Sequence, residues 1–151
     1  MPMPSLIPIG YQGGEHLSAV GHHAGGLFLA FVARAHQDDQ DPRDPTNPGY
    51  WLAILHTFDA AGVHLATSVR PVPRGRLGAD AAAAYEAADA ELAALIDTLP
   101  DRRKDVISVQ PFSTTVAGFT VGLVADREAR YAELVPAGIR FGEPWDGDYS
   151  T

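Results

Sequence analysis

The sequence predicts an α+β domain: a curled antiparallel sheet of about six to eight strands built from hairpins, with one long helix over about 80–99 packed on it. Three observations carry that reading. Turns of one chemical design recur between apolar runs. Two runs, "LFLAFVA" (27–33) and "YWLAIL" (50–55), are apolar at nearly every position. One segment, 80–99, repeats apolar residues at three- and four-residue steps.

The 151 residues fit a single domain, 1–151. Apolar residues form 46% of the chain, enough for a true core. The start, "MPMPSLIPIG", has three prolines and no basic stretch, so it does not read as a signal peptide. No apolar run approaches the ~20 residues of a membrane span. The expected location is the cytoplasm.

The continuous runs at 27–33 and 50–55 read as central strands covered on both faces, because a strand with one wet face alternates. Between them, "HQDDQDPRDPTNPG" (36–49) has three prolines, four aspartates and no apolar residue, and reads as a mobile surface loop. It lacks the Gly and distal Glu of a calcium loop. Three hairpins follow from the turns. "FDAAGVHL" puts Asp59 first and Gly62 last. "TVAGFT" puts Gly118 last. "LVPAGIRF" puts Pro136 second and Gly138 last. Asp, Pro and Gly favour those places in a type I turn closed by a left-handed residue. The strands are expected near 50–58 and 63–70, 106–115 and 119–126, and 129–135 and 139–143.

In the helical segment, Asp80 is placed to cap the start and Pro100 to stop the end. Tyr85, Ala88, Leu92, Leu95, Ile96 and Leu99 make one stripe, with Glu86, Asp89, Glu91 and Asp97 elsewhere. A helix ~10 Å wide covers one face of a sheet and not both. The second face needs another layer of strands or a second copy of the chain, as in a homodimer.

Chemistry is sparse. The absence of cysteine removes disulfides, thiolate nucleophiles and Cys-based metal sites. No nucleophile elbow, phosphate loop, dinucleotide fingerprint or His-Glu-x-x-His is present. No catalytic residue, cofactor or metal is therefore assigned. The net charge of −8 opposes nucleic acid and anionic lipid. The basic clusters Arg70/Arg74/Arg76 and Arg102/Arg103/Lys104 read as solvated loops. If Asp59 pairs with Val63, Phe58 pairs with His64 and His56 with Ala66. His56 and His64 then share a face as diagonal neighbours, with no third ligand in view. His22 and His23 are adjacent and point to opposite faces.

The tail "FGEPWDGDYST" interleaves Glu143, Asp146 and Asp148 with Trp145 and Tyr149. Two readings stand. The five residues form a recognition surface, with rigid aromatics for area and carboxylates for a basic partner. Alternatively, the aromatics fold back and plug an open end of the sheet. The two are compatible.

"PSLIPIG", "AILHTFDAAGVH", "VQPFSTTVAGFTVGLV" and the ending "AELVPAGIRFGEPWDGDYST" resemble small actinobacterial proteins called formate hydrogenlyase regulatory proteins. The resemblance implies a regulator acting against a transcriptional activator. A direct operator-binding repressor would carry a basic face; this chain is acidic, so the resemblance points to a protein partner. The leading expectation is an acidic, non-enzymatic, protein-binding regulatory domain. The alternatives are an immunity-type inhibitor of a basic toxin, and an enzyme or small-molecule binder with a pocket in the curled sheet.

Overall fold

The computed structural model of the chain describes residues 3–10, 19–75 and 79–150. In chain order its elements are β1 (Ile7–Ile9), β2 (Ala19–His23), β3 (Gly26–Ala35), β4 (Tyr50–Phe58), β5 (His64–Pro73) and α1 (Ala79–Ile96). There follow β6 (Arg103–Lys104), β7 (Ile107–Val109), β8 (Phe112–Val116), β9 (Phe119–Asp126), β10 (Tyr131–Val135), β11 (Ile139–Gly142) and β12 (Tyr149–Ser150). The fold is α+β, with every pairing antiparallel.

The strands divide into two five-stranded sheets, ordered β5-β4-β3-β2-β6 and β12-β11-β10-β9-β8, and a two-stranded ribbon, β1-β7. The two apolar runs are β3 and β4, at the middle of the first sheet. Alternate side chains go to different cores. Leu27, Leu29, Phe31, Leu52, Ile54 and Phe58 meet Phe119, Val121, Leu123, Leu134 and Phe141 between the sheets. Phe28, Ala30, Ala53 and Leu55 face Leu92 and Leu95 of α1. The helix covers one face and the second sheet the other, so that face needs no second copy. Each fully buried Leu, Ile or Phe contributes about 1.5–3 kcal/mol, which puts most of the stability between the sheets.

Local structure departs from expectation at several points. The expected strand 106–115 breaks at Gln110-Pro111. Pro111 has no N–H to give a ladder, and the Gln110 N–H donates to Gly62 O at 2.8 Å. β7 then pairs with β1, while β8 starts the second sheet. The helix ends at Ile96, and Arg102 takes over beyond it, donating to Ile96 O and Leu99 O. Asp80 lies inside the helix, not before it, and its side chain falls outside the described residues, as does Arg76. Tyr85 is 46% exposed and Ala84 takes the buried place. Tyr85 meets Trp51 edge-on at 5.0 Å.

The Asp59 turn forms as expected: its carboxylate accepts from Ala61 N and Val63 N, each at 2.9 Å. The Gly118 turn is tighter than expected. Ala117 and Gly118 both have positive φ (55° and 84°), the mark of a two-residue type I′ turn. The basic residues are not all in loops: Arg70 lies on β5 and bridges to Glu91 at 2.8 Å, and Arg103 and Lys104 form β6.

The loop 36–49 is tied down at its start. Asp38 accepts from Thr120 N (3.1 Å) and Thr120 Oγ1 (2.6 Å), and Asp38 N donates to Gly118 O (2.7 Å). The first sheet's longest loop is thereby stitched to the second sheet.

Candidate functional site

The C-terminal tail folds back onto the molecule. Trp145 and Tyr149 pack against the inter-sheet core. Tyr149 pairs with Phe141 across β12 and β11, its ring 5.7 Å away. Trp145 has φ 60°, a left-handed conformation that costs about 1–3 kcal/mol for such a residue. The indole is half-buried against the core, and among the described residues its Nε1 has no hydrogen-bond partner. Gly147 fixes the return path. Its carbonyl accepts from Gly10 N at 3.0 Å. A Cβ there would stand 2.9 Å from Gly10 N, and φ is +91°, so only glycine serves.

With the aromatics turned in, the carboxylates of Glu143, Asp146 and Asp148 turn out. Asp146 Oδ1 accepts from Asp148 N at 3.0 Å, holding the turn that spaces them. Glu143 lies 3.8 Å from the Arg130 guanidinium. The three acids, with Arg140, Pro144 and Tyr149, border a shallow groove of about 300 Å³. Arg140 is committed to Glu133 at 2.9 Å and lies over Tyr131; the Glu133 hydrogen bond raises its pKa. All five residues singled out from sequence are therefore in one place. The aromatics hold the frame, and the acids present its surface.

The histidines form a different assembly. A β-bulge falls between Thr57 and Phe58. Phe58 stands opposite His64, as expected, but the bulge moves His56 from Ala66 to Thr67. The two imidazoles do share a face, and what joins them is a hydroxyl. His56 Nδ1 and His64 Nε2 each lie 2.7 Å from Thr67 Oγ1. The single hydroxyl proton serves one ring, and the other ring donates to the oxygen. A backbone hydrogen bond with Ala66 favours the charged form of His64, against the larger effect of burial. His56 Nε2 is left buried without a partner.

Phe112 closes the cluster from the second sheet, stacked on His64 at 4.2 Å and edge-on to His56 at 4.8 Å. His56 is 0% exposed. Burial, with a smaller push from His64, lowers its pKa to about 3. Burial also lowers that of His64. Both rings are neutral near pH 7, locked into an aromatic seam. Sequence placed His56 and His64 on one face but could not find Thr67, which enters through the bulge, or Phe112, which comes from a distant strand.

His22 and His23 go separate ways, His22 to Asp105 at 3.2 Å and His23 to Gly25 N at 3.2 Å. A second depression of about 330 Å³ lies between the stitched loop and the β10-β11 turn, lined by His36, Asp38, Phe119 and Pro136 among others. Among the described residues no three His, Asp or Glu side chains are grouped to hold a metal ion, and no helix is long and apolar enough to cross a membrane. In comparison with known proteins, no family model, no curated protein and no solved structure matches the chain.

Proposed function

We propose that the chain is an acidic regulatory domain that works by binding another protein, with its C-terminal face receiving a basic segment of that partner. One observation carries the reading. The tail packs the half-buried Trp145 and Tyr149 against the inter-sheet core, and Asp146 and Asp148, with Glu143, border a groove on the surface beside them. Carboxylates on a rigid frame lose little entropy when they pair with Arg or Lys, and they steer such a partner at long range in a chain of net charge −8. The resemblance to regulators acting on a transcriptional activator agrees with a protein target.

The test is capture from a host lysate by the wild-type chain, by Asp146→Lys/Asp148→Lys, and by Glu86→Lys/Asp89→Lys on the outer helix face. The expected result is a basic protein retained by the wild type and the helix variant and lost with the tail variant, more weakly held as salt rises. Equal retention by all three, or loss with the helix variant alone, overturns the reading.

A further inference from the structure

The two sheets end unlike each other on the side where β5 and β8 lie. β5 is a ten-residue strand that, among the described residues, is bonded on one side only, to β4. Which of its backbone groups face outward can be read from its prolines. Pro71 and Pro73 stand opposite Leu52 and Tyr50 in the ladder although they have no N–H to give it. Proline is tolerated in a strand where the missing N–H would point away from the neighbour. Arg74 N, one residue on, donates back across to Gly49 O, in step with this alternation. Counting back by twos, Thr67 and Val69 turn their N–H and C=O outward. No described strand receives them.

We infer that this edge pairs with the same edge of a second copy, β5 antiparallel to β5 about a two-fold axis at Ser68, joining two five-stranded sheets into one. Antiparallel pairing of identical edges is two-fold by construction. With the axis at Ser68, Thr67 lies opposite the partner's Val69, and the two such pairs exchange about four main-chain hydrogen bonds. The side chains suit that register. Ser68 and Ala66 are small, so nothing bars close approach. Arg70 stands opposite the partner's Ala66, so like charges do not meet. Pro71 and Pro73 have no outward N–H to give, so the pairing stops short of them.

The tail plays no part here, and the test does not touch it. The chain has no cysteine, so Ser68→Cys carries the sole thiol. Residues facing each other across such a non-bonded pair have Cβ atoms ~4.5–5.5 Å apart, close enough for a disulfide after slight adjustment. The expected results are sedimentation of the wild type at twice 16.1 kDa in the high micromolar range and mild oxidation of Ser68→Cys to a covalent dimer several-fold faster than Val124→Cys. Ser68→Glu and Ser68→Lys should each sediment as monomers with unchanged circular dichroism, and mixing them should restore the dimer. A monomeric wild type, equal cross-linking at 68 and 124, or a dimer that survives Ser68→Glu overturns the inference.

Discussion

The two sides of the sandwich finish their sheets by opposite means. On one side the chain's own ends do the work. The β1-β7 ribbon touches β2 and β11, Gly10 meets Gly147, and the terminal strands β6 and β12 are two residues each. On the other side the terminal strands are long, β5 with ten residues and β8 with five. There the gap between sheets is filled by an aromatic and imidazole seam: Phe58, His56, His64 and Phe112. One side is sealed by covalent continuity and close backbone approach. The other depends on side chains whose packing requires them to stay uncharged. The first should be indifferent to mild acid and sensitive to truncation, the second the reverse.

The largest effect expected is on the sealed side. Ending the chain after Gly142 removes Trp145, Tyr149 and β12, and uncovers Phe141 and Ile9. Loss of one fully buried aromatic costs about 3–5 kcal/mol; the two aromatics lost here are each half-buried, so chemical denaturation should show a stability loss of about that order for the pair. Unchanged stability would mean that the tail rests on a surface already sealed without it.

Acid should act next, and on the other side. His56 in the folded chain has its pKa lowered to about 3 from an ordinary 6.5. Between those values the unfolded chain takes up a proton that the folded chain refuses. The stability this group contributes is complete above pH 6.5 and drains away as pH falls towards 3. A loss on the order of a few kcal/mol across that window is expected. Carboxylates also titrate there, so the measurement is the difference between wild type and His56→Gln, whose stability should fall less steeply with acid. Identical slopes would show that His56 titrates in the folded chain as it does in the unfolded one.

How much of this was legible beforehand follows the range of the interactions. The central strands, most of the helix stripe and the places of the hairpin turns rest on contacts between near neighbours in sequence and were readable from spacing; Tyr85, which is exposed, and the tighter turn at Gly118 were not. The tail's aromatics and acids were readable as a set, because they alternate within seven residues. The bulge at Thr57/Phe58 was not, since a one-residue slip leaves no mark in composition. The ribbon was missed for a related reason: "IPI" is three residues long, and its partner strand looked like the start of β8. The division into two sheets could be argued only as a need for something over the second face. Nothing local says where Phe112 will land.

Thr67→Val sharpens the contrast with a smaller change. The side chain keeps its shape and loses the hydroxyl that joins His56 to His64. His56 Nδ1 is then buried without its hydrogen-bond partner, and leaving one buried polar group unpaired costs about 1–3 kcal/mol. The ¹⁵N chemical shifts of the two rings should move together, because each loses its hydrogen bond with Thr67 Oγ1. A shift at one ring alone would show that Thr67 serves a single histidine.

The smallest effect expected is at the stitch between the sheets. Asp38 holds Thr120 by its backbone and its hydroxyl. Both bonds go to an ionised acceptor, but the site is open to water, which replaces much of what is lost. Asp38→Ala should therefore cost about 1 kcal/mol. Its kinetic signature is more telling than its size. The stitch joins residues far apart in sequence, and such contacts tend to form late, so the loss should fall mainly on the unfolding rate. If the folding rate slows instead, the loop closes on the second sheet before the sandwich is assembled, and the two sides of the molecule are joined from that end first.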